Sequence, residues 1–222
     1  MKLKPVAAAL CAGFMWAGSA SAADITFDEL VAGVTLSTQY AALGVTFTPN
    51  AFTGAGTSSS GADWATNTDM TIVSTSGSDV GGLGTPVSGP SLVGGNVLRS
   101  FSGWLDEDGD ASFAAIFSTP ITAFSADFAG VSTPGDVKIY AYAGSTLLGS
   151  SSSSVTTGQF TLSFSGTGIT RVVVTPGSFN DWVGVDNIRF TQAVPEPESY
   201  ALMALGMGVL AIARRRSKAA QA

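Results

Sequence analysis

Two stretches decide the fold: Val137-Lys138-Ile139-Tyr140-Ala141-Tyr142 and Phe160-Thr161-Leu162-Ser163-Phe164. In the first, odd positions are apolar and even positions more polar. In the second the alternation is cleaner still. A period of two with one apolar face is the signature of an antiparallel sheet packed on one side. Similar short runs recur at 25–27, 45–48, 70–74, 97–104, 112–117, 121–129, 137–143, 146–149, 159–164, 170–175 and 182–191, separated by Gly, Ser, Thr, Asn and Pro. Many short strands between turn signals predict an all-β, antiparallel β-sandwich, jelly-roll-like in its strand number. No stretch of the body has a helical apolar stripe; 35–43 has room for one short turn. Gly81 to Gly95 and the serine run 150–154 read as loops, the latter a hairpin tip or an O-glycosylated tract.

Composition agrees. Of 222 residues, 27 are glycine and only 12 % are charged, against a usual charged share of about 25 %. Exposed helix faces need more charge than this. A hydrophobic share of 45 % argues against charge-rich disorder. There is no histidine, which excludes imidazole-based triads and His-ligated metals. The single cysteine, Cys11, lies near the start, so the body has no disulfide. Between residues 24 and 193 there are 14 acidic and 4 basic residues, a net charge of −10. An acidic body repels phosphate backbones, so no nucleic-acid partner is expected.

Both ends read as addresses. Residues 1–22 have Lys2 and Lys4, then an apolar core from Val6 to Trp16, then Ala20-Ser21-Ala22. That is the order of a signal peptide, with signal peptidase cutting after Ala22. The core is too short for a spanning helix. Residues 194–222 read VPEPESYALMALGMGVLAIARRRSKAAQA. Pro195-Glu196-Pro197 precede an uncharged run, 199–213, closed by Arg214, Arg215 and Arg216. Fifteen helical residues span about 22 Å, short of the ~30 Å hydrocarbon core, so local thinning or flanking residues make up the difference. The arginines stay cytoplasmic by the positive-inside rule. The prolines hold an extended strip outside the membrane, the form a membrane protease binds. The domains expected are thus a signal peptide at 1–22, a sandwich at 23–193 and a sorting segment at 194–222.

The tail resembles the PEP-CTERM sorting signal of Gram-negative bacteria over Val194 to Arg216, with VPEP, the ALMALGMGVLAIA helix and RRR in order. The resemblance implies recognition by an exosortase, a membrane cysteine-protease-like enzyme cutting near Pro-Glu-Pro. It implies transient lodging in the inner membrane and delivery to the cell surface or matrix, often in species that make exopolysaccharide. A plain C-terminal anchor, never cut, is the alternative. The body resembles extracellular jelly-roll domains in ITFDEL at 25–30, QYAALGVTF at 39–47, ITAFSADFAG at 121–130 and GVDNIRF at 184–190. Such domains are similar to carbohydrate-binding modules and lectin-like sandwiches, which implies an extracellular polysaccharide as a partner.

Within the body, Asp106, Asp108 and Asp110 alternate around Gly109. The glycine comes two places early for an EF-hand, and position twelve is Phe117, so an EF-hand is excluded and a different calcium loop remains open. The alternative is a solvated hairpin turn between 97–104 and 112–117. Asp28 and Glu29 follow the first strand, while Asp186 and Asn187 lie in the last. If those strands are neighbours, their oxygens could hold a structural Ca²⁺; otherwise Asp186 caps a turn or bonds backbone amides. No other cofactor is implied. Trp64, Trp104 and Trp182 lie beside turn residues, where they either stack on sugar rings or fill the core. Catalysis finds no support: there is no Gly-x-Ser-x-Gly elbow and no Ser-x-x-Lys. A carboxylate pair for acid/base glycoside hydrolysis is only what any acidic chain offers by chance. The reading is an exported, non-enzymatic component of a biofilm or exopolysaccharide layer, with a carbohydrate-binding module as alternative and a hydrolase a distant third.

Overall fold

The computed structural model describes residues 21–49, 69–76, 90–101, 113–131, 137–153, 158–175, 183–193, 203 and 205–208. One compact unit spans Ala20–Ala193. It contains β1 (Ala22–Ile25), β2 (Val45–Pro49), β3 (Asp69–Ser74), β4 (Asn96–Phe101), β5 (Phe113–Val131), β6 (Lys138–Ala143), β7 (Thr146–Ser152), β8 (Gly158–Thr175) and β9 (Val183–Gln192). A 3₁₀ turn at Ala41–Leu43 falls where one short turn was expected. All the pairings are antiparallel, in the order β3-β4-β9-β5-β8-β6-β7, with β1 on β9 and β2 on β5.

The sheet becomes a sandwich because β5 and β8 serve both layers. Residues 113–117 of β5 lie between β2 and the 171–174 end of β8. Residues 121–131 lie between the other end of β8 and β9. The ladder shifts register between Ile116 and Ile121 and again between Ile121 and Ala123. Pro120, which has no N–H to give a ladder, sits in the first shift. Opposite the second, β8 carries extra residues between Ser165 and Ile169, where Gly168 takes φ 77°. Bulges of this kind bend a strand from one sheet into the next.

The inner faces of both layers supply one core: Phe47 from β2, Phe113, Phe124 and Phe128 from β5, Ile139 from β6, and Val185 and Phe190 from β9, among others. Phe128 stacks on Phe160 with ring centroids 5.7 Å apart, and Phe117 meets Phe190 at 5.1 Å. A smaller cluster of Val73, Val93, Val97 and Ala129 packs the 90–95 segment against strands β3, β4 and β5.

Several expectations need correction. The runs 112–117 and 121–129 are one strand, and so are 159–164 and 170–175. Their Ser-Thr-Pro and Ser-Gly-Thr-Gly punctuation marks bulges, not turns. The first strand ends at Ile25, because Phe27 takes the left-handed φ 61°. Ser150 to Ser152 are not a hairpin tip; they belong to β7 and pair with 138–140 of β6. The hairpin expected between 97–104 and 112–117 does not form, since β4 pairs with β3 and β9 and not with β5. In the tail, Met203 and residues 205–208 are helical and exposed. Among the described residues no helix is long and apolar enough to cross a membrane.

Phe128→Ala should remove a fully buried ring at the centre of the β5–β8–β9 packing. A cost of roughly 3–5 kcal/mol is expected, which lowers the melting temperature by about 6–20 °C in a domain of this size. Leu147→Ser, at a side chain 42 % exposed on β7, should change stability by no more than ~0.5 kcal/mol. Thermal unfolding followed by circular dichroism compares the two.

Candidate functional site

The described chemistry of the body gathers on the outer side of the β1–β9–β5–β8 layer. β1 does lie beside β9, with Asp24 opposite Arg189 and Ile25 opposite Ile188. Along β9 the alternation Val183, Val185 inward is reset at Asn187, whose φ of 47° makes a bulge: Asp127 faces Asp186, yet Ser125 faces Arg189. Asp186 is on the outer side by that alternation, and the bulge turns Arg189 to the same side, beside Asp127.

Asp186 and Asp28 fasten the segment before β4. Asp186 Oδ2 accepts from the N–H of Gly94 at 3.1 Å, and Oδ1 from that of Asn187 at 2.6 Å. Asp28 Oδ1 accepts from the N–H of Asn96 at 2.8 Å. Gly95 between them has φ 64°, and a Cβ there would collide with the Asp28 carboxylate. Asn187 Nδ2 donates to the carbonyl of Leu92 at 2.7 Å, and Gln159 Oε1 accepts from the Leu92 N–H at 2.7 Å. Burial pushes the Asp186 carboxyl up to about 6; the Gly94 and Asn187 N–H groups pull it down, and the charges of Asp28 and Asp127 push it further up. Burial, then the Glu29 carboxylate, drives the Tyr40 phenol well above its ordinary range.

Asp127 is the second buried carboxylate, 1 % exposed. Thr161 Oγ1 donates to its Oδ1, and Arg189 Nη2 donates to its Oδ2 at 3.1 Å. Arg189 Nε lies 3.6 Å from Asp24 Oδ1 at the surface. The guanidinium is therefore held from both sides, yet its side chain keeps 43 % exposure. Beside it a groove of about 440 Å³ runs over β1, β9, β5 and β8.

Of the residues singled out in sequence, Asp28 and Asp186 come together at the 94–96 segment, while Glu29 acts on Tyr40 instead. Calcium takes six to eight oxygens. Here both Asp186 oxygens and one of Asp28 already accept backbone N–H groups, and no group of three or more His, Cys, Asp or Glu converges among the described residues. These residues do not fit a resident Ca²⁺. Asp106, Asp108, Asp110, Trp64, Trp104, Trp182, Pro195, Glu196, Pro197, Arg214, Arg215 and Arg216 lie outside the described residues. Asp127, Arg189 and Asp24 were not singled out in sequence, although each stands at a polar position of an alternating strand.

The Asp186 carboxyl should titrate near pH 6 in the folded chain, against 3.8 for the free group, as read by carbon NMR of the labelled side chain. The folded state then holds its proton more tightly than the unfolded state. This group's contribution to stability is fully present below pH ~4 and is lost as pH rises through 6, by up to about 3 kcal/mol. Asp186→Ala should abolish that part of the pH dependence.

Residues 193–217 match the PEP-CTERM protein-sorting motif. No curated protein matches the chain in sequence. Among solved structures, the K2 cleaved adhesin domain of Lys-gingipain aligns with 78 % of this chain and 100 % of that one, at 15 % identity and a TM-score of 0.48. The sorting motif implies an exported protein that exosortase, a membrane enzyme, processes and sorts to the cell surface.

Proposed function

We propose that this chain is a non-enzymatic surface or matrix protein, delivered by its tail and serving as a structural or interaction component of an exopolysaccharide layer or biofilm. The observation that carries this reading is the sorting motif at 193–217. In this reading residues 1–22 are a signal peptide removed by signal peptidase, 23–193 a jelly-roll-like body, and 194–222 the sorting segment. Removal after Ala22 shortens β1 by one register pair, Ala22 with Thr191. The apolar run 199–213 holds the chain transiently in the inner membrane, the arginines keep its end cytoplasmic, and exosortase cuts near Pro195-Glu196-Pro197.

Carbohydrate binding is the second reading. The groove beside Arg189 favours it, with hydroxyl, carboxylate and guanidinium groups on one open face.

Replacing Pro195-Glu196-Pro197 by three alanines should leave the body attached to membranes, because the extended strip is lost while the apolar run stays. Immunoblots of membrane and medium fractions give the answer; equal release of variant and wild type would overturn the sorting reading.

A further inference from the structure

We propose that the outer face of β1–β9–β5–β8 is a binding groove for a neutral polysaccharide, anchored by Arg189 and Asp24. The inference rests on the carbohydrate-binding reading and gives it a site.

The groove is built by register. Asp24, Arg189, Ser125 and Ser163 are successive partners across the four strands. So are Ala22, Thr191, Ala123 and Ser165. Partners on adjacent strands project to the same side, so these are two parallel rows. They lie two residues apart, about 7 Å, and cross three strand spacings, about 14 Å. The second row is made of small side chains, which is why the space of about 440 Å³ exists. Ala123 and Thr191 line it with methyl groups on which the C–H face of a sugar ring can rest, and both remain once Ala22 leaves with residues 1–22. Ser125, Ser163, Ser165 and Thr191 each donate and accept. Asp24 accepts only, and Arg189 donates only. Asp127 and Asp24 hold the guanidinium from two sides, so little ordering is left to do when a ligand binds.

The chemistry selects among polymers. An anionic chain meets a body of net charge −10 and the Asp24 carboxylate at the groove itself. An extended peptide binds by pairing its backbone with a strand edge, whereas this groove lies on the face of a sheet whose β9 and β5 are paired on both sides. A neutral, hydroxyl-rich chain meets neither obstacle. It also matches a lining that offers both donors and acceptors.

The test uses the exported chain with its tail still attached, solubilised in detergent and run in native gels containing dextran, hydroxyethylcellulose or galactomannan, with alginate as the anionic comparison and an unfolded casein as the peptide comparison. Retardation by at least one neutral polymer, and by neither comparison, is expected. The double variant Ser163→Leu, Ser165→Leu removes two hydroxyls and fills the groove from exposed strand positions, leaving the Arg189–Asp127 pair intact. It should weaken retardation roughly tenfold, and Asp24→Asn should weaken it severalfold, with unfolding midpoints close to wild type. No retardation by any of the three neutral polymers, binding to alginate or casein instead, or retardation unchanged in the double variant would overturn the proposal. Release of the body into the medium is read separately and depends on the tail, so a failed groove leaves the sorting reading standing.

Discussion

The pairing of β5 with β8 is the constraint on which the sandwich rests. The body has no cysteine to staple it and only four basic residues to form ion pairs, so cohesion must come from burial and from the strand ladder. β5 and β8 together contribute rings and aliphatic chains to both halves of the core, including Phe113, Phe124, Phe128, Phe160, Val172 and Val174. A strand of 19 residues can serve two layers only if it bends. The register shifts around Pro120 and opposite Gly168 let it do so while keeping its partner. One continuous ladder thus replaces the separate sheet edges that two independent layers would present.

That ladder also places the polar groups of the outer face. Ser125 and Asp127 are alternate residues of β5, and Thr161, Ser163 and Ser165 are alternate residues of β8, so their direction follows from the inward turn of Phe124, Phe128, Phe160 and Leu162. β9 adds one irregularity, the bulge at Asn187, and its effect is electrostatic. It sets Asp186 opposite Asp127 and leaves one guanidinium, Arg189, to serve a row of carboxylates. Backbone N–H groups answer the remaining charge: two point at Asp186 and one at Asp28. They do not offset the loss of water at Asp186, whose proton is held to about pH 6. The 90–96 segment is the structural return, pinned at Leu92, Gly94 and Asn96 over the sheet.

Strand alternation was readable where one face is buried and the other wet, as at 137–142 and 160–164, and those stretches are β6 and part of β8. What could not be read was continuity. Ser-Thr-Pro and Ser-Gly-Thr-Gly have turn composition whether the chain reverses or merely bulges, and only the partner strand decides between them. The serine run misled for a related reason: Ser150 to Ser152 are poor strand formers by composition, yet β6 provides the ladder that holds them. The adjacency of first and last strands followed from sandwich topology. The bulge that turns Arg189 outward did not, because Asn187 in the left-handed region has no signature distinct from an ordinary polar strand residue. Arg189 was passed over because a lone arginine in a strand usually marks a solvated face, and its pairing with Asp127 spans 62 positions in sequence.

The distribution of charge links the body to the tail. The basic residues outside the body lie beside apolar runs, at Lys2, Lys4, Arg214, Arg215, Arg216 and Lys218, which in the proposed reading orient the chain across a membrane. The body keeps only four, and those whose partners are known are consumed locally: Arg189 by two carboxylates, Arg171 by stacking 4.4 Å over the Tyr142 ring. A body of this kind has little to hold it to an anionic lipid surface once the tail is cut. The same deficit of positive charge disfavours acidic polymers, so whatever such a domain binds outside the cell must be recognised by hydrogen bonds and close packing instead of by charge. Those are the resources the Ser125–Ser163–Arg189 face supplies, and they come from strand register alone, without a loop to order or an ion to recruit.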